Sequence, residues 1–69
     1  MNEKEFKKGK EYNWSSDECQ MYASYGKSLS KQNYFKIDFN GKLWMYKTFD
    51  AFNKKAKYFI NKYGLLINN

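Results

Sequence analysis

Residues 34–50 read YFKIDFNGKLWMYKTFD, and this stretch decides the fold. Asn40-Gly41 divides it. A type I′ turn needs positive φ at both central residues, which asparagine tolerates and glycine adopts freely, so the pair predicts a two-residue β-hairpin over 34–48. Around such a turn Phe39 faces Lys42, Ile37 faces Trp44 and Phe35 faces Tyr46. Residues opposite one another share a face, which puts Phe35, Ile37, Phe39, Trp44 and Tyr46 on one side. Tyr34, Lys36, Asp38, Leu43, Met45 and Lys47 fall on the other. A slip of one residue would mix the two sets, so turn and apolar pattern enforce the same register.

Downstream, Phe52, Ala56, Phe59, Ile60 and Tyr63 recur at helical spacing and make one apolar stripe. Thr48 or Asp50 can cap its start, and an acid there suits the positive end of the helix dipole. Gly64 sits where a left-handed C′ residue is wanted, with Leu65 able to fold back on Ile60. The pattern predicts a helix over 50–63. Its stripe and the aromatic face of the hairpin each need a cover, so the fold class expected is α+β, hairpin on helix.

Upstream, residues 12–31 carry two patterns. Ser15 and Glu18 have capping-box spacing, and Cys19, Tyr22, Ala23 and Leu29 fall near one face of a helix. Gly26 fits a helix poorly, however, and residues 20–25 alternate well enough for a first strand, followed by a polar connection over 27–33. Residues 2–10 are charged, with Glu3 and Lys7 at i,i+4 spacing, Phe6 as the one apolar anchor and Gly9 as a stop. Residues 1–11 are therefore expected to be a short helix or a disordered tail, ahead of a single domain over 12–69.

Sixty-nine residues bury only about 60% of their unfolded surface, and such domains need reinforcement. A disulfide cannot supply it, because Cys19 is the only cysteine, and no Cys/His cluster exists to hold a metal. The reinforcement is aromatic: six Phe, seven Tyr and two Trp, each able to bury ~150–250 Å². A lone cysteine fits a reducing compartment, and Met1–Glu11 has no apolar core of a signal peptide. No run approaches the ~20 apolar residues of a membrane span. A soluble cytoplasmic protein is expected. The chain lacks Arg, His, Pro and Val while being rich in Lys, Asn, Tyr and Phe, a bias that points to an AT-rich bacterial or phage genome.

The formal charge is +6. Residues 1–26 hold four lysines against five acids, and residues 27–69 hold nine lysines against two acids, so the positive charge follows the hairpin and helix. Every basic residue is lysine. Lysine meets phosphate as a point charge and lacks the bidentate fork with which arginine reads guanine.

The run Phe35–Lys42, followed after four residues by Lys47-Thr48-Phe49-Asp50 and a helix containing Ala56, resembles the AP2/ERF DNA-binding fold. That group includes AP2-like phage and homing-endonuclease modules and integrase arm-binding domains. The resemblance spans roughly residues 20–63. It implies a three-stranded antiparallel meander packed on one helix, with residues 20–25 as the first strand and the sheet face away from the helix in the DNA major groove. Lys47 stands where that pattern usually has glycine, and Leu43 and Met45 stand where it has polar base-reading residues. The Lys54-Lys55-Ala56-Lys57 segment is also similar to the last helix of double-stranded-RNA-binding domains.

Catalysis is not expected. The chain has no histidine, Asp38 and Asp50 lie on opposite sides of the unit, Cys19 lacks a base, and no glycine-rich phosphate loop or cofactor motif is present. Two functions from different classes remain. One is nucleic-acid binding, DNA first, through Lys27, Lys31, Tyr34, Lys36, Lys42 and Lys47. The other is a protein contact, such as a phage inhibitor of a host enzyme, through an apolar patch of Tyr34, Leu43 and Met45.

Overall fold

Asn40 and Gly41 take φ angles of 49° and 87°, the positive pair that a type I′ turn requires. The Asp38 carboxylate accepts the Gly41 N–H at 3.1 Å and steadies the turn. The computed structural model describes residues 2–27 and 31–68. In it the turn joins β3 (Asn33–Phe39) to β4 (Lys42–Tyr46), paired Phe39 to Lys42, Ile37 to Trp44 and Phe35 to Tyr46.

The expected three-stranded meander forms one side of a larger sheet. Its first strand is β2 (Gln20–Lys27), which sets Met21, Ala23 and Tyr25 against Phe39, Ile37 and Phe35. Two strands extend it: β1 (Glu11–Ser15) pairs with β2, and β5 (Leu66–Asn68) pairs with β1, giving the antiparallel order β4-β3-β2-β1-β5. The helical reading of residues 15–29 is therefore wrong where the chain is described. Alternation of Met21, Ala23 and Tyr25 into the core outweighs the capping spacing. Ser15 and Glu18 flank a reverse turn instead, in which the Ser16 N–H donates to the Cys19 carbonyl at 2.9 Å. Leu29 and the middle of the polar connection lie outside the described residues.

Helix α1 (Phe49–Tyr63) lies across β3 and β4. Thr48 caps it, its hydroxyl accepting the Ala51 N–H at 3.3 Å. At the other end Gly64, at φ 62°, donates its N–H to the Ile60 carbonyl, and Leu65 adds a second bond there at 3.0 Å. Glycine suits this turn because a side chain there would strain the left-handed backbone. Leu65 then points inward and is buried. Its reversal also sends the chain back along β1 as β5.

Among the described residues, twelve buried ones make one core between sheet and helix, with Phe52, Met21 and Ile37 fully enclosed. Aromatic rings fill most of it. Phe39 and Phe59 stack at 4.2 Å, Phe35 and Phe52 at 5.4 Å, and Trp44 leans on Phe59 at 5.2 Å. The N-terminal segment joins this core. Glu3–Glu5 is a single 3-10 turn, and Phe6 beyond it is buried 4.6 Å from Tyr12 and 5.0 Å from Phe52. The Tyr12 hydroxyl fastens the segment, donating to the Glu5 carbonyl and accepting the Lys7 N–H, both at 3.0 Å. No helix among the described residues is long and apolar enough to cross a membrane.

Candidate functional site

The helix covers one face of the sheet. The registers place Glu11, Asn13, Ser15, Gln20, Tyr22, Ser24, Gly26, Tyr34, Lys36, Asp38, Leu43, Met45, Leu66 and Asn68 on the other. Among the described residues no element lies over this face.

Its two halves differ. Over β2, β1 and β5 the polar side chains satisfy one another. The Asn13 amide donates to Gln20 Oε1 at 3.2 Å and to the Met21 carbonyl at 3.0 Å. Asn68 Nδ2 donates to Asn13 Oδ1 and, at 2.9 Å, to Ser15 Oγ. Over β3 and β4 the face is open and mixed. Leu43 and Met45 are 57% and 48% exposed, beside Tyr22, Asp38 and Lys36.

At one end of the open half a shallow groove of about 180 Å³ is lined by Ser24, Gly26, Lys27, Tyr34, Lys36 and Met45. The pairing of Gly26 with Tyr34 builds it. A Cβ at Gly26 would meet nothing within 4 Å, so the glycine leaves open space on the groove floor. Tyr34 is half-buried and its hydroxyl donates to Gln32 Oε1 at 3.1 Å.

Of the six lysine and tyrosine positions expected to meet nucleic acid, Tyr34 and Lys36 line this groove from the outer face, and Lys27 lines its end as the last residue of β2, with inner-face parity. The other three lie elsewhere. Lys47, just past β4, lines a separate recess with Glu3, Thr48 and Asp50. Lys42 is exposed beside the hairpin turn and shares the inner face by register. Lys31 is exposed ahead of β3, at a φ of 64°. In the alternative set, Tyr34 and Met45 share the groove, and Leu43 lies beyond Met45 along the β4 edge.

The charge has moved relative to the sequence reading. Formal charges on the outer face are Glu11, Lys36 and Asp38, so that face is nearly neutral as a whole. Lys54, Lys55, Lys57 and Lys62 belong to α1, on the opposite side of the sheet. Lys55 Nζ lies 5.2 Å from the Trp44 ring and 5.0 Å from Phe59, a cation held over aromatic faces. Lys62 donates to the Tyr58 hydroxyl at 2.9 Å. That hydrogen bond first, and the ammonium charge second, draw the exposed Tyr58 phenol below its ordinary pKa.

Sequence reasoning missed Ser24 and Gly26. A glycine alternating with Tyr25 in an otherwise continuous strand pattern was the available signal for a gap in a face. Among the described residues no group of His, Cys, Asp and Glu could hold a metal ion. The sequence matches no protein-family model, and neither the curated proteins nor the solved structures compared with it yield a match.

Proposed function

We propose that this protein binds single-stranded nucleic acid through the groove between Tyr34 and Lys36, without catalysing a reaction on it. One observation carries the reading: a half-buried aromatic ring, an empty glycine floor and Lys36 line one groove on the open face, with Lys27 at its end where β2 stops. Those are the parts that single strands use, a stacking platform for a base and cations beside it for phosphate. Lysine without arginine favours contact with little sequence preference. Duplex is disfavoured because a rigid major groove would have to span the whole face, where Asp38 and Glu11 oppose phosphate.

The test is a salt titration of labelled single-stranded DNA, single-stranded RNA and duplex, followed by fluorescence anisotropy. Lys27→Gln/Lys36→Gln lowers the slope of log K against log salt by about 1.4 units, since each lost phosphate contact contributes roughly 0.7 on a single strand. Tyr34→Leu weakens binding about tenfold or more and leaves the slope unchanged, because stacking releases no counterions. Lys4→Gln/Lys8→Gln changes neither. Absence of binding at ~50 mM salt overturns the reading, since phosphate contact is strongest when screening is weak. The exposure of Leu43 and Met45 supports a second reading, a protein contact at the β4 side of the same face.

A further inference from the structure

We propose that β4 is a self-pairing edge, through which two copies of this chain join their sheets antiparallel about a twofold axis at Trp44. The argument starts from backbone hydrogen bonds. The Asn40 N–H donates to the Gln20 carbonyl at 3.0 Å, so even-numbered residues of β3 turn their polar groups toward β2. Odd-numbered residues of β3 therefore turn theirs toward β4, and Phe39, Ile37 and Phe35 bond Lys42, Trp44 and Tyr46. What remains on the free edge of β4 is the N–H and C=O of Leu43 and of Met45. Their side chains stand on the outer face at 57% and 48% exposure.

Two β4 strands centred on Trp44 satisfy these groups together. Leu43 then faces Met45 of the second copy, and Met45 faces its Leu43. These are the residues with free backbone groups, so each pair exchanges both hydrogen bonds. On the outer face the two pairs form one apolar block. On the inner face Trp44 meets Trp44, and Lys42 meets Tyr46, a cation beside an aromatic ring. Lys47 falls opposite Gly41. No like charges are directly opposed within the strand pair, and all residues of β4 are paired. Moving the register by two residues breaks this, since Leu43 or Met45 then faces its own copy and one end of the strand is left over.

The opposite edge does not offer the same surface. β5 has three residues, Leu66 and Asn68 bond β1, and only Ile67 presents free backbone groups. Asn68 is also tied by side-chain bonds to Asn13 and Ser15. Lysines commonly blunt sheet edges. Those flanking β4 sit at its ends, where the pairing gives them neutral neighbours. The joined sheet carries both helices on one side, with Lys55 over Trp44 in each copy. Wild-type association therefore strengthens as salt screens the +6 charge on each chain. Phosphate contact has the opposite salt dependence, so the two proposals stand or fall separately.

The experiment is sedimentation equilibrium across micromolar to millimolar protein, with circular dichroism as the check on folding. The wild type moves reversibly from the 8.4 kDa chain toward twice that mass. Leu43→Lys/Met45→Lys sets lysine opposite lysine in both pairs and weakens association at least about tenfold with the spectrum unchanged. Leu43→Lys/Met45→Glu sets lysine opposite glutamate in both pairs and restores association at least about tenfold over the double-lysine variant. Its association weakens with salt, the reverse of the wild type. A wild type that stays monomeric at millimolar concentration overturns the proposal. So does a double-lysine variant that still dimerises, or a Lys/Glu variant no tighter than the double-lysine one, because only the Trp44-centred register opposes residue 43 to residue 45.

Discussion

The two faces of this sheet are built from the same strands and have opposite fates. On the inner face Met21, Ala23, Phe35, Ile37 and Phe39 are buried under α1, and every alternate position between them faces solvent. Inner positions are chosen by volume, and the phenylalanine rings there lie with centroids 5.6, 5.4 and 4.2 Å apart. The outer face has no such demand. It is divided into a hydrogen-bonded amide half over β1 and β5 and an open half over β3 and β4, where glycine, lysine, tyrosine and exposed aliphatic residues stand together. Burial accounts for one face, and the departures from a plain polar surface on the other are what the two proposals rest on.

The sharpest way to break this contrast is to remove the ring at its centre. Phe52 is fully enclosed against Phe6, Phe35 and Phe49, and Phe52→Ala is expected to cost about 3–5 kcal/mol in urea unfolding. A loss below ~1 kcal/mol would mean the helix does not seal the inner face. Phe6→Ala tests whether the N-terminal segment belongs to that face, with an expected loss of about 3 kcal/mol. If residues 2–10 are peripheral instead, the variant unfolds at the same denaturant midpoint as the parent.

On the open half the expectation reverses. Leu43→Lys/Met45→Lys replaces two large apolar side chains and should shift stability by no more than about 0.5 kcal/mol when measured at monomeric concentration. A large loss would place these residues in a core. The smallest effect belongs to the helix surface. As pH rises, Tyr58 should ionise ahead of a tyrosine at its ordinary pKa, because the Lys62 hydrogen bond and charge favour the phenolate. Lys62→Gln should move that ionisation up, read from tyrosinate absorbance. Both side chains are exposed, and a contact between exposed groups adds little to stability. Melting at pH 7 should therefore stay the same.

Legibility in the sequence followed the length of the signal. The hairpin and α1 were readable because Asn40-Gly41, the alternation of Phe35, Ile37 and Phe39, and the stripe from Phe52 to Ile60 each repeat a local rule several times. β1 was missed although Tyr12 and Trp14 alternate, because Ser15 and Glu18 imitate a helix cap within the same few residues. β5 was missed because three residues hold no period at all. Phe49 was quoted only as part of a helix start, yet it is buried. In the candidate site, Lys27, Tyr34 and Lys36 were named from composition and face. Their meeting with Ser24 and Gly26 depends on how β2 is aligned with β3.

By itself the sequence determined the hairpin register, the helix with its Gly64 end, and the division of residues 34–46 into an apolar and a mixed face. These rest on backbone conformations and periods that a few neighbouring residues impose. Only the tertiary structure decided that residues 11–15 and 66–68 become strands, that Phe6 enters the core, and that most helix lysines lie away from the open face. Those outcomes depend on contacts between residues far apart in the chain. Phe6 meets Phe52, and Asn68 meets Asn13, across stretches of chain far longer than any local rule spans.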